Sequence, residues 1–393
     1  MPKRLITISV IAMLVQQALA TMGGLIVPVI APAIIAERGL NPALVGAFTA
    51  VTYASAMAGT LIGGAFLLRY GALRLSQACI VLTGLGLFAA GSGWLPLLVA
   101  AAVLVGLGSG PSTPASSHIL ARVSPPKIAP IIFSIKQTGV PLGGVLAGAA
   151  SAVLVAPLGW RGTLLVAAAV CAVFVVLVQP FRATIDDDRS PGRSLSLQDV
   201  RRPIRAVLWE PRIRELAIAS YTFTGMQIAY GSFLVVYLTH ALDYSPTLAG
   251  TIFAIGQGVA MGSRIVLGWV ASRFVDARLL LGGLGIAMAL ALGAVGLSTA
   301  SWPVAAVLAA CVAFGLTGLS FQGILLAEIA RCSPPGQAGL ITGGVVVCAY
   351  FSMVSYPAAI AAWIGATGAY DVAFIMAGVP ALLVGIRILA VRR

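Results

Sequence analysis

Lys136 and Arg264 are the two residues of this 393-residue chain whose type and position demand a chemical explanation. Each sits deep inside a long apolar stretch. Lys136 follows Pro126 by ten residues, about 15 Å along a helix, and Arg264 precedes Arg273 by nine, about 13 Å. A cation at that depth costs several kcal/mol unless it faces a wet cavity or a partner. The acidic residues lie in polar connections, apart from Glu328 near the end of its own apolar stretch, so no carboxylate neutralises the pair. Two cations at one depth suit an anion: Arg grips a carboxylate through two parallel hydrogen bonds, and Lys adds a point charge. The competing interpretation is structural, with both side chains snorkelling or bonding helix-end carbonyls.

Polar neighbours fit a lined cavity. Gln257 precedes Arg264 by seven residues, two turns away on the same helical face, and Gln137 adjoins Lys136. Thr224, Gln227 and Tyr230 keep three-residue spacing. Gln16 or Gln17, with Ser109, Ser112, Thr113 and Ser116, are further candidates. Any one of these alone is better explained as an interhelical hydrogen bond. His118 is expected to be structural. The predicted binding residues are thus Lys136, Arg264, Gln137, Gln257, Gln227, Tyr230, Gln17 and Thr113.

The elements that must position these residues follow from composition. The chain is 60% hydrophobic and 9% charged, with a mean hydropathy of +1.03. Soluble domains carry about 25% charged residues, so a water-soluble fold is excluded, as are a disordered chain and a disulfide scaffold. Twelve membrane-crossing helices need roughly 240 apolar residues at about 20 each, close to what the composition supplies. Gly, Pro and charge clusters divide the chain into twelve predicted spans: 5–35, 43–68, 75–91, 95–121, 128–156, 163–181, 216–239, 247–271, 279–297, 304–329, 338–364 and 372–389. The polar stretch between spans six and seven, with Asp186, Asp187, Asp188, Arg189, Arg193, Arg201, Arg202 and Arg205, reads as a solvated linker. The expected organisation is an N-terminal six-helix bundle (1–181), a linker (182–215) and a C-terminal six-helix bundle (216–393). Lys3-Arg4 before an apolar run imitates a signal peptide, but the run continues to Ile35, so a retained first helix is expected.

The formal charge of +13 is an orientation signal. An even number of spans puts both termini and the linker on one side, with Lys3, Arg4, Arg69, Arg74, Arg122, Lys127, the linker arginines, Arg273, Arg278, Arg331, Arg387, Arg392 and Arg393. The other side keeps Arg38 and Arg161. Positive residues gather on the cytoplasmic side, so termini and linker are expected there. The five cysteines, Cys79, Cys171, Cys311, Cys332 and Cys348, lie in or beside apolar spans without a CxxC pair and read as packing residues.

An internal repeat runs through the chain. Gly64-x4-Arg69-Tyr70-x3-Arg74-Leu75 returns as Gly268-x4-Arg273-Phe274-x3-Arg278-Leu279, an offset of 204. Asn41-Pro42-x-Leu44-x-Gly46 matches Ser245-Pro246-x-Leu248-x-Gly250 at the same offset. Gly106-Leu107 matches Gly315-Leu316, and Ala121-Arg122-Val123-Ser124-Pro125-Pro126 matches Ala330-Arg331-Cys332-Ser333-Pro334-Pro335, at an offset of 209. The chain reads as a duplicated six-helix unit.

On these residues the chain resembles the major facilitator superfamily of secondary transporters, whose halves are related by an axis along the membrane normal. The family's loop signature after span two stands here as Gly64-Ala65-Phe66-Leu67-Leu68-Arg69-Tyr70-Gly71, and in the second half as Gly268-Trp269-Val270-Ala271-Ser272-Arg273-Phe274. Leu68 and Ser272 replace its usual Asp. The resemblance implies a cytoplasmic gate at Arg69, Arg74, Arg273 and Arg278. Gly139-Val140-Pro141-Leu142-Gly143-Gly144 is similar to the family's antiporter motif, with one residue too few between Pro and the Gly pair; close helix contact is the simpler account. The resemblance further implies that spans five and eight face each other across a central cavity, so that Lys136 and Arg264 converge. Arg264-Ile265-Val266-Leu267-Gly268 matches the Arg-x3-Gly context of span eight in oxalate and monocarboxylate transporters.

The expected protein is an all-α secondary transporter moving a small organic anion, a mono- or dicarboxylate, by alternating access. The alternative is an exporter of drugs or of neutral or amphiphilic compounds on the same fold. A membrane enzyme or sensor is disfavoured, because no Walker loop, HExxH or Gly-x-Ser-x-Gly is present. No cofactor, metal or nucleic acid is implied. The expected partners are the anion, the lipid bilayer, and protons or a counter-anion, with symport and antiport both open; Glu328 and Lys136 are the titratable groups available for a proton. A monomer in a bacterial cytoplasmic (inner) membrane, with both termini cytoplasmic, completes the expectation.

Overall fold

Apolar chain away from water must pair its backbone groups within one segment, and the helix is the solution open to a duplicated six-span unit. The computed structural model is all-α among the residues it describes, which are 3–39, 44–190, 192 and 197–390. Asn41, Pro42, Ala43, Arg193, Arg392 and Arg393 lie outside the described residues. In chain order the helices are α1 (Lys3–Arg38), α2 (Leu44–Tyr70), α3 (Ala72–Ala90), α4 (Leu95–Ser109), α5 (Ser112–Val123), α6 (Ala129–Gln137), α7 (Gly139–Val178) and α8 (Arg182–Ile185). They continue as α9 (Leu197–Trp209), α10 (Pro211–His240), α11 (Pro246–Arg273), α12 (Ala277–Gly296), α13 (Val304–Gly318), α14 (Gln322–Cys332), α15 (Ala338–Thr367) and α16 (Tyr370–Ala390).

Ten continuous helical stretches among the described residues are long and apolar enough to cross a bilayer. The longest, Ala129–Ile185, holds two crossings, because Gly159 leaves the helical region at φ 66° just after Pro157 and divides α7. The more polar α10, of 30 residues, supplies the remaining crossing. Spans four, five and ten are each broken into two helices, α4/α5, α6/α7 and α13/α14. The breaks in spans four and ten fall at Gly110-Pro111 and at residues 319–321, one repeat offset apart. Gly110 is pressed against the Ala56 carbonyl, where a β-carbon would overlap it.

The chain forms two compact units. The first comprises Met1–Ser124, Lys136–Glu210 and Ala330–Tyr350; the second comprises Pro125–Ile135, Pro211–Ile329 and Phe351–Arg393. The first segment of span five thus clusters with the later helices, and the first segment of span eleven with the earlier ones. Those segments are themselves one repeat offset apart. In the second unit Ser134 packs on Gly268 and Gly323. In the first, Gly343 packs on Thr60 and Pro114. Adding 209 to Ser134 and Pro114 gives Gly343 and Gly323, so this contact recurs with its partners' roles kept.

The repeat also governs glycine packing within each unit. A β-carbon on Gly106 would overlap the Thr52 carbonyl, and one on Gly315 would lie 2.5 Å from the Gly256 carbonyl. Thr52 and Gly256 are 204 residues apart, as the two sequence motifs require.

The linker departs from expectation. Asp186 is buried and α9 lies on the first unit, so this stretch is partly built into the fold instead of being a solvated tether. Gly71, the residue before α3, has no side chain to cap that helix, and Asp186 supplies the carboxylate.

Candidate substrate site

Small residues bring span five against span one. A β-carbon on Gly139 would sit 2.6 Å from the Leu14 carbonyl, and one on Gly143 would overlap the Ala18 carbonyl. This close approach of α7 to α1 lays the end of α6 beside Gln17. Lys136, 1% exposed, donates from Nζ to Gln17 Oε1 at 2.6 Å and to Gln137 Oε1 at 3.0 Å. Thr113 Oγ1 donates to the same Gln17 oxygen at 3.4 Å, and Gln17 Nε2 donates to Thr21 Oγ1 at 3.4 Å. One residue away on each helix, Gln16 Nε2 donates to Ser112 Oγ at 2.8 Å.

Four of the predicted residues, Lys136, Gln137, Gln17 and Thr113, therefore form one polar cluster in the first unit. Among the described residues the Lys136 ammonium is held by neutral amide oxygens, with no carboxylate. An ammonium carries three donors, and two are used here. Its charge stays uncompensated while its orientation is fixed. That combination can bind an anion at the third N–H without first breaking an ion pair.

The second unit holds Arg264, also buried, in α11. Ser263 beside it donates to the Leu316 carbonyl at 2.6 Å, which ties α11 to α13. Gln257 is half-buried on the same face of α11. Gln227 accepts from Gln322 Nε2 at 3.0 Å, so Gln322, at the start of α14, joins α10 to span ten. Sequence reasoning missed Gln322; its place just after the span-ten break is the signal that marks it. Tyr230 is completely buried, stacked on Phe314 at 4.4 Å between ring centroids, with Phe253 on another side at 6.2 Å. Its ring is part of that unit's core. Glu328 in α14 is buried as well.

The four gate arginines differ in their surroundings. Arg69 lies 5.3 Å above the Tyr70 ring, Arg74 reaches Gln77 at 3.4 Å, and Arg273 is exposed. Arg278 pairs with Glu215 at 2.7 Å. Ser272, in the place of the family's Asp, donates to the Gly268 carbonyl at 2.7 Å and accepts from the Ile131 N–H at 3.1 Å. Ile131 is in the first turn of α6, so Ser272 caps that helix with a neutral oxygen.

Three aspartates after span six complete the first unit. Asp186 accepts from the backbone N–H groups of Leu73 at 2.7 Å and Arg74 at 3.0 Å, capping α3. Burial raises its carboxyl above the ordinary value, against the pull of those two N–H groups and Arg182. Asp188 contacts His118 Nε2 at 2.6 Å and Arg122 at 2.7 Å, and Asp187 also pairs with Arg122. For Asp188 burial opposes ionisation, but the bond to His118 and the charges of His118 and Arg122 outweigh it and lower its value. His118 is thus a bonded partner in a clamp at the end of span four. Gly139 and Gly143 of the antiporter-like stretch are contact glycines, whereas Gly148 has open space.

Comparison with known proteins accords with this architecture. The family model described as Major Facilitator Superfamily matches residues 12–357. The fold resembles the E. coli fucose:proton symporter FucP in its outward conformation, with a TM-score of 0.76, 13% identity and coverage of 99% of this chain and 100% of that one. It also resembles the human organic anion transporter MFSD10 (TETRAN), with a TM-score of 0.75, 15% identity and coverage of 99% and 100%. A third neighbour is the proton:xylose symporter XylE, with a TM-score of 0.72, 15% identity and coverage of 99% and 96%. No curated protein matches the chain in sequence.

Proposed function

This chain belongs to the major facilitator superfamily and is a multi-pass secondary transporter, not an enzyme, working by alternating access; we propose that its cargo is a small organic anion, a mono- or dicarboxylate. The observation that carries this reading is Lys136, a buried cation oriented by two amide oxygens. A charge kept in the membrane interior without a counter-charge is costly, and an anionic ligand offsets that cost when it binds. Arg264 gives the second unit a buried guanidinium suited to a carboxylate. MFSD10 is named an organic anion transporter and FucP and XylE carry sugars, so this fold accommodates such cargo without selecting it. The choice rests on the two cations.

Thermal unfolding of the purified protein across mono- and dicarboxylates, sugars and hydrophobic amines tests this, because a ligand of the folded state raises its stability. A carboxylate should stabilise the wild type, and Lys136→Ala or Arg264→Ala should weaken that affinity roughly 30-fold or more, as loss of one partner of a buried charged pair does. Stabilisation that survives both substitutions, or none by any anion, refutes the reading.

A second reading draws on one observation. An apolar groove with a cavity volume of about 100 Å³ lies among the ends of α1, α2 and α4, lined by Pro28, Ile35, Phe48, Val51, Leu95 and other apolar side chains. It contains none of the predicted polar residues and would favour neutral or amphiphilic cargo; stabilisation by such compounds alone would select it.

A further inference from the structure

The linker contains the helix α9, whose surface has one buried row and, on the opposite side, two exposed rows of different character. Pro203 and Ala206 are buried and face the protein; a β-carbon on Gly344 of α15 would lie 2.7 Å from the Pro203 carbonyl. Ile204 and Leu208, four residues apart, form an exposed apolar row, 41% and 57% accessible. Arg201 and Arg205, also four apart, form an exposed basic row. Each arginine precedes its apolar neighbour by three residues, so the two rows run side by side. Trp209, 74% accessible, ends the helix.

Depth along α15 places this surface. That helix has 30 residues, about 45 Å, so one centred in a hydrocarbon layer of about 30 Å extends roughly 7 Å beyond it at each end. Gly344 is six residues from the helix start at Ala338, about 9 Å, within the first two turns of span eleven at the end that shares the linker's side. A helix held there, with one side on protein and an apolar ridge beside an arginine row on the other, presents the two chemistries of the membrane interface side by side. Tryptophan is also enriched there.

We propose that α9 is an interfacial helix whose exposed rows dock on the bilayer, with Ile204 and Leu208 against the upper acyl chains, Arg201 and Arg205 on anionic phospholipid headgroups, and Trp209 at the level between them. Charge complementarity and the tether between two membrane spans select lipid as the occupant. The proposal does not depend on the cargo.

The test uses the full chain in nanodiscs of phosphatidylcholine alone or in an equal mixture with phosphatidylglycerol. Trp209 emission, isolated as the difference between wild type and Trp209→Phe, should be quenched by brominated lipid. Phosphatidylglycerol should raise the thermal stability of the wild type, and the apparent affinity should fall about fivefold for each arginine removed in Arg201→Gln/Arg205→Gln. Arg201→Lys/Arg205→Lys should retain the response and shows that the effect is charge. Equal stabilisation of wild type and the glutamine variant overturns the proposal. So does quenching of Trp209 by aqueous iodide and not by brominated lipid, the result expected if the face meets water or another protein.

Discussion

At Gly71 the backbone stands at φ +98°, and a β-carbon there would overlap the Asp186 carboxyl. The position just before α3 therefore needs glycine twice, for conformation and for space. The second half meets the same need locally: Asp276 precedes α12 and accepts from the Arg278 N–H at 2.9 Å. The first half recruits a carboxylate from more than a hundred residues away, with Asp187 and Asp188 beside it on Arg122 and His118. These neighbours titrate in opposite senses. Asp188, lowered, contributes stability that is complete above the ordinary carboxylate value and is lost as pH falls through its own. Asp186, raised, favours its neutral form in the fold; its contribution is largest in acid and is lost as pH rises through its value. Asp188→Asn should cost about 1–2 kcal/mol at neutral pH, the worth of charged hydrogen bonds. Thermal unfolding from pH 7 down to the carboxylate range should then show a shallower acid loss in the variant than in the wild type. Parallel curves would mean that the clamp contributes no ionic stabilisation.

Helix pairs are set by glycines whose roles only partly show in the sequence. The stretch from Gly139 to Gly148 carries four glycines in small-xxx-small spacing, and spacing alone ranks them equally. Contact separates them. Gly143 abuts the Ala18 carbonyl of α1, Gly144 meets only Leu25 at 3.7 Å, and Gly148 meets nothing within 4 Å. Gly143→Ala forces α7 off α1, with backbone on the facing side and no flexible side chain to yield, and should destabilise by about 1–3 kcal/mol. Gly148→Ala should be neutral or slightly stabilising, since alanine is the better helix residue. Melting temperatures of the two variants check this, and equal losses would contradict the packing. Gly143→Ala should also weaken the proposed anion binding at Lys136, because the contact of α7 with α1 sets Gln17 against the end of α6. The spans and the two-fold repeat were legible because they depend on hydropathy and offset. Other features depend on what the fold brings together. Nothing near Asp186 in sequence announces a vacant cap at α3, and nothing near Tyr230 announces that Phe314 and Phe253 enclose its ring. The α9 rows were readable in principle, as arginines and apolar residues each recurring at four-residue spacing, but the density of charge in the linker masked them.

For the whole molecule, the few charges divide between chemistry and orientation. The cation-rich side carries Arg69, Arg74, Arg273 and Arg278, and the three aspartates that bind His118, Arg122 and the start of α3 belong to it too. On the opposite rim Glu37 accepts from Trp160 Nε1 at 2.6 Å and pairs with Arg161 at 2.9 Å, while Arg38 donates to the Ser92 carbonyl at 3.0 Å. Local pairing thus neutralises part of the sparse charge on that rim, and most of the formal +13 is assigned by the span count to the side of the linker. An excess of Lys and Arg in short loops is retained in the cytoplasm during insertion. Reporter fusions translate that asymmetry into an outcome. A fluorescent protein fused after Arg189 should fold and fluoresce, and alkaline phosphatase at the same point should be inactive. Alkaline phosphatase fused after Ser301, in the connection between α12 and α13, should be active. The reverse pattern would invert the orientation and place the α9 arginines on the outer leaflet. Substituting Arg69, Arg74, Arg273 and Arg278 together by Gln should weaken the bias and give a mixed population of the two orientations, because four of the positive charges nearest the span ends are then gone.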